Sequence, residues 1–207
     1  MSLSVTELQA ALDALGKLEP AIATAIARVG YPEPRIRARG YETLLRTIVG
    51  QQVSVGAANS IWRKLEAEVG GGLSPDALLG ASDESLRAAG LSRQKASYAR
   101  SLAEEVNSGR LDLESLPADD EAAIAALCSV KGIGRWSAEI YLLFAEGRTD
   151  IWPAGDLAVQ IEAGRLLGLP ERPTEKATRA LAEAWRPHRG AAAVFLWHHY
   201  GSAKAPV

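Results

Sequence analysis

Apolar residues recur every three to four positions along most of the 207-residue chain, and no stretch alternates for long enough to read as a strand. The pattern predicts helices near residues 5–14, 18–29, 41–51, 54–69, 83–89, 93–107, 119–128, 135–146, 156–167, 174–185 and 189–200. Their ends are marked. Ser54, Ser82 or Asp83, Ser92, and Thr174 with Glu175 stand where helices should open. Gly30, Gly70, Gly90, Gly147 and Gly168 stand where helices should stop. The stretches EVGGGL (68–73) and RLDLESLPADD (110–120) are expected to be loops, and no solenoid period is visible. The expected fold is all-α: short helices in two lobes flanking a cleft.

Composition narrows the function classes. At 47% hydrophobic the chain can bury a sizeable core, and it carries no apolar run of membrane-spanning length. MSLSVTELQAALDAL lacks the pattern of a secretory leader, so a cytoplasmic, nucleoid-associated protein is expected. It is expected to act as a monomer. One cysteine, Cys128, rules out an internal disulfide, a thiolate zinc site and a four-cysteine cluster. His188, His198 and His199 have no acidic pair at helical ligand spacing, so no metal site is expected. The net charge of −2 and pI near 6.0 do not advertise a polyanion partner. Local donors matter more than the total, however, and Arg87, Arg93, Lys95 and Arg100 form one basic neighbourhood, Lys131 and Arg135 another.

The segment VKGIGRWSAEIYLLFAEGRTDIWPAGDLAVQ (130–160) concentrates the candidate chemistry. Gly132 and Gly134 permit φ > 0 and close approach of another molecule, with Ile133 between them as an apolar plug. The helix that follows presents unpaired N–H groups and a positive dipole end, and Lys131 and Arg135 add charge. The turn is suited to an anion, although G-x-G between helices also serves as a plain sharp turn. Asp156, behind Pro153-Ala154-Gly155, stands where an aspartate ordinarily caps a helix.

SVKGIGRWSAEI followed by TDIWPAGDLAVQ resembles the helix–hairpin–helix DNA glycosylase superfamily, and within it the DNA-3-methyladenine glycosylase II type. TIVGQQVSVGAANSIWRKL (47–65), GLSRQKASYARSLAEEV (90–106) and AWRPHRGAAAVFLWHHY (184–200) extend the resemblance over residues 36–201. It implies one compact glycosylase unit with N-terminal helices in 1–35, a core in 36–201 and the hairpin in 119–146. The implied partner is double-stranded DNA containing alkylated bases, with no organic cofactor. A monovalent cation held by hairpin backbone carbonyls is a feature of such proteins.

The resemblance places the catalytic carboxylate at Asp156, compatibly with a cap. As a base leaves deoxyribose, positive charge develops on the sugar. A carboxylate about 4 Å away at an effective dielectric near 20 is worth on the order of 4 kcal/mol, roughly a thousandfold in rate. The same group can orient or deprotonate the attacking water. A methylated purine is already cationic and leaves without a dedicated acid; Asp150, the nearest other acid, is expected to be structural. Strand-cutting relatives carry a nucleophilic lysine two residues beyond the second hairpin glycine, where this chain has Trp136, so no Schiff base and no lyase activity are expected.

A duplex base must be flipped out before its bond is reached. By resemblance Gln52 is the wedge that fills the gap, while Gln51 reads as a link between helices. Trp136 and Trp197 correspond to pocket aromatics, whose electron-rich faces attract a cationic base by about 0.5–2 kcal/mol. Ile140 stands where larger relatives have tyrosine. Trp62, Trp152 and Trp185 are expected in the core. Gly132, Gly134, Lys131, Arg135, Arg93 and Lys95 are the expected phosphate contacts. The rival readings are a glycosylase for other damaged bases, a non-catalytic DNA-binding module, and a helical protein adaptor. The adaptor leaves the hairpin without a purpose.

Overall fold

A computed structural model describes residues 4–70 and 72–202. The described residues form twelve α-helices and one short 3₁₀ turn, with no strand. In chain order these are α1 (Val5–Leu18), α2 (Pro20–Val29), α3 (Tyr41–Gly50), α4 (Val55–Val69), α5 (Pro75–Gly80) and α6 (Asp83–Ala88). They are followed by α7 (Arg93–Asn107), α8 (Asp120–Cys128), α9 (Arg135–Phe144), α10 (Leu157–Leu166), α11 (Glu175–Leu181) and α12 (Arg189–Ser202), with the 3₁₀ turn Ala182–Trp185 before α12. Among the described residues no helix is long and apolar enough to cross a membrane.

Capping chemistry sets most of the starts. Ser54, Ser82, Ser92 and Thr174 each accept a hydrogen bond from the backbone N–H three residues on, as their positions predict. Ser4 and Glu7 close a reciprocal capping box on α1. Helix α5 was not expected. It is only six residues long, too short to show a 3.6-residue period, yet Ser74 caps it and Pro75 opens it. Gly30 and Gly70 end α2 and α4 as expected. Helix α1 runs four residues past its predicted end, to Leu18, and the break before α2 falls at Glu19-Pro20.

The chain divides into two compact units. One comprises Arg37–Tyr141, where α7 packs against α3, α5 and α6, and α4 packs against α3 and α6. Leu44, Leu45, Ile48, Leu65, Leu78, Leu86, Leu102 and Leu127 are among its fully buried large residues. The other comprises the segments up to Ile36 and from Leu142 onward, with α12 packed on α1, α2 and α10 around Leu8, Leu12, Leu15, Ile22 and Phe195. The helices α1 and α2 fall in the unit that carries Asp156. Trp62, Trp152 and Trp185 are buried, as expected. Trp152 donates to the Thr178 carbonyl at 2.9 Å and meets Trp185 edge-on.

Candidate active site

In the Arg37–Tyr141 unit the hairpin joins α8 to α9 and is seated on α7. Gly132 has φ of 85°, and a Cβ there would fall 2.1 Å from the Tyr98 ring. The fold itself therefore demands glycine at 132. Gly134 differs from expectation: its φ is not in the positive region, and a Cβ there would meet nothing within 4 Å. Glycine at 134 leaves open space at the start of α9, where first-turn N–H groups have no intrahelical acceptor. The buried Ile133 is the expected plug.

Neighbours hold the hairpin still. The Lys131 N–H donates to Ser101 Oγ at 3.1 Å. Gln51 Nε2 donates to the Gly132 carbonyl at 2.8 Å, so Gln51 braces the hairpin and is more than a link. Two expected phosphate contacts have other partners. Lys95 Nζ donates to the Val49 carbonyl at 2.7 Å, placing its charge at the C-terminal end of α3, and burial pushes its ammonium pKa down. Arg135 grips Glu121 through two bonds of 2.5 and 2.8 Å and donates Nε to Glu139 at 2.9 Å. The Glu121 hydrogen bond contributes most to holding the Arg135 pKa above its ordinary range. Glu139 is 2% exposed, and a buried carboxylate without its cation would cost several kcal/mol. Arg135 thus joins the two hairpin helices. Arg93 and Lys131 remain exposed.

The same unit has a cavity of about 960 Å³ whose lining includes Gln51, Gln52, Val53, Val55, Trp136 and Ile140. Trp136 is 45% exposed, unusual for an indole assigned only to packing. Gln52 is the one non-glycine at positive φ among the described residues, at 55°. Such a conformation costs on the order of 1 kcal/mol and is kept where the side chain must point in a set direction. Gln52→Gly should leave the thermal midpoint unchanged or raised. It should slow base release from duplex by about tenfold, because the vacated stack loses a filler while unstacking still costs a few kcal/mol. A duplex rate equal to wild type in a single-turnover assay would remove Gln52 from the wedge role.

Asp156 belongs to the other unit. It caps α10, accepting from the Val159 N–H at 3.0 Å, and the same Oδ1 accepts from Trp197 Nε1 at 3.0 Å. Two donors fix one oxygen of a half-buried carboxylate. Trp197 was expected only as a pocket aromatic. It also orients Asp156, while its ring tilts against Phe144 at 5.6 Å. A separation of 41 residues hides this bond from local reading. The loop before Asp156 is anchored twice: Gln160 Nε2 donates to the Ala154 carbonyl at 2.8 Å, and the Gly190 N–H donates to the Thr149 carbonyl at 2.9 Å. Asp150 is structural as expected, accepting from Arg186 and, through both oxygens, from Arg189. Among the described residues no group of three or more His, Cys, Asp or Glu side chains is placed to hold a metal ion.

A glycine hairpin between two helices, followed by a capping aspartate behind a Pro-Ala-Gly loop in an all-helical protein, is the architecture of the helix–hairpin–helix DNA glycosylases. The chain belongs to the HhH-GPD superfamily of base excision DNA repair proteins, whose model matches residues 45–187. It is 34% identical to DNA-3-methyladenine glycosylase 1 of Schizosaccharomyces pombe over 161 residues, 76% of this chain and 71% of that protein. It is 28% identical to DNA-3-methyladenine glycosylase 2 of Escherichia coli, over 86% of this chain and 65% of that one. The solved structure of the S. pombe 3-methyladenine DNA glycosylase in complex with abasic DNA superposes with a TM-score of 0.78 at 29% identity, covering 94% of this chain and 97% of that chain.

Proposed function

We propose that this protein is a monofunctional DNA glycosylase that hydrolyses the N-glycosidic bond of alkylated purines, 3-methyladenine first, in double-stranded DNA, acting as a monomer in the cytoplasm. The observation that carries the reading is the Asp156 carboxylate, one oxygen held by the Val159 N–H and the Trp197 indole. As the C1′–N bond breaks, its electron pair leaves with the cationic base, which departs neutral. The carboxylate stabilises the sugar cation that remains. Water then adds to C1′, and its proton passes to Asp156 or to solvent. The Gly132–Gly134 turn and the α9 N-terminus take a backbone phosphate, Gln52 occupies the emptied stack, and Trp136 and Trp197 offer indole faces to the base.

A monovalent cation, if bound, would rest on hairpin carbonyls such as those of Val130 and Gly132. Each already accepts one protein hydrogen bond, from the Ile133 N–H and Gln51 Nε2 respectively, and each keeps a second lone pair. Such an ion supplies positive charge beside a phosphate and nothing to bond cleavage.

The reading is tested by chromatography of bases released from methylated duplex DNA. The protein should release 3-methyladenine and leave abasic sites, and borohydride should trap no covalent adduct, because Trp136 cannot form a Schiff base. An absence of released base would sink the catalytic reading, and a trapped adduct would sink the monofunctional one.

A further inference from the structure

The Arg37–Tyr141 unit contains a second concavity, of about 430 Å³, that shares no lining residue with the Gln52–Trp136 cavity. Its charged lining is Asp83, Arg87, Arg93, Arg100, Glu104 and Lys131, drawn from α6, α7 and the hairpin. The fold uses one of these cations. Arg100 donates to the Leu79 and Ala81 carbonyls and pairs with Asp83 at 2.9 Å, which offsets that carboxylate. The side chains of Arg87, Arg93 and Lys131 make no hydrogen bond or ion pair among the described residues, and all three are exposed. Glu104, the remaining carboxylate, also lies in the field of Arg110.

Three unused cations around one hollow repel one another, and low-dielectric walls focus their field on whatever enters. This contrasts with Lys95 and Arg135, whose charges are consumed within the fold. The site is also built to keep its shape. Lys131 is pinned to α7 through its backbone bond to Ser101, and the Tyr98 ring lies on Gly132 next to it. Lys131 belongs both to the hairpin and to the hollow, so one ligand can engage both.

The geometry points to a second phosphate site, in which Arg87, Arg93 and Lys131 receive a phosphodiester of the duplex beyond the phosphate held by the hairpin. This inference rests on duplex DNA being the ligand, and the site contributes to affinity for any sequence, not to lesion choice.

Equilibrium binding of the full chain to undamaged and abasic duplexes between 50 and 200 mM salt tests it. Arg87→Ala/Arg93→Ala should weaken both complexes alike and flatten the salt slope by about 0.9, so the wild type loses roughly three- to fourfold more affinity across that range. Arg87→Gln/Arg93→Gln should behave the same with side-chain bulk retained, and Arg87→Lys/Arg93→Lys should keep the wild-type slope. Unchanged slope and affinity in the Ala and Gln variants would overturn the site, as would a loss confined to the abasic duplex. Failure of the wild type to release base would count against the glycosylase reading alone, since the slopes decide the phosphate site independently.

Discussion

Asp156→Asn should lower the single-turnover rate of 3-methyladenine release by about a thousandfold while leaving the fold and abasic-duplex binding intact. Asparagine is as good an N-cap as aspartate, and its carbonyl oxygen can still accept from the Val159 N–H and the Trp197 indole. The negative charge is lost while both of these bonds are kept. Opposite a sugar cation about 4 Å away, that charge is worth on the order of 4 kcal/mol at an effective dielectric near 20. Asp156→Ala removes the cap as well and should cost about a further 1 kcal/mol of stability. The pair separates two roles that coincide at one residue. Should the asparagine variant keep wild-type activity, the carboxylate would be a cap alone.

Gly132→Ala should produce the largest loss of DNA binding among single changes in the hairpin. The new Cβ would lie 2.1 Å from Tyr98 Cδ2 and 2.4 Å from Cγ, at a φ of 85° that alanine rarely adopts. Backbone strain of about 1–2 kcal/mol adds to the cost of displacing a packed ring, so a total loss on the order of 3 kcal/mol is expected. The turn that carries the α9 N-terminus would shift with it. Adding Tyr98→Ala should relieve the clash but not the φ strain, and so recover part of the stability measured by denaturant unfolding. Gly134→Ala is the informative partner: no protein atom lies within 4 Å of its Cβ, so stability should hold while duplex binding falls. If Gly134→Ala binds DNA as wild type does, the open space at 134 is not a phosphate seat.

The hairpin, Asp156 and most helices are legible because their signals lie within a turn or two of chain. Serine and threonine caps show where their helices start, and periodic apolar spacing shows which elements exist. Helix α5 escapes because periodicity needs more than six residues, although Ser74-Pro75 marks its start. Reading Gly132 and Gly134 as equivalent fails because a G-x-G pattern carries no φ values; the first is required by Tyr98 and its own φ, the second by neither.

The assignment of long side chains is where local reading stops. Arg135 and Lys95 look like phosphate contacts in the linear chain, and the fold gives them Glu121 with Glu139 and the Val49 carbonyl. Gln51 looks like a linker and braces Gly132, and Trp197 looks like a pocket wall and also holds Asp156. Residue order therefore settles the helical class, the hairpin and the placement of the capping aspartate, because backbone geometry follows from neighbours a few residues away. Which charges stay available to a ligand depends on helices packed from distant parts of the chain. A cation buried or paired by such packing has already given its field to the protein, and no local pattern of residues records that.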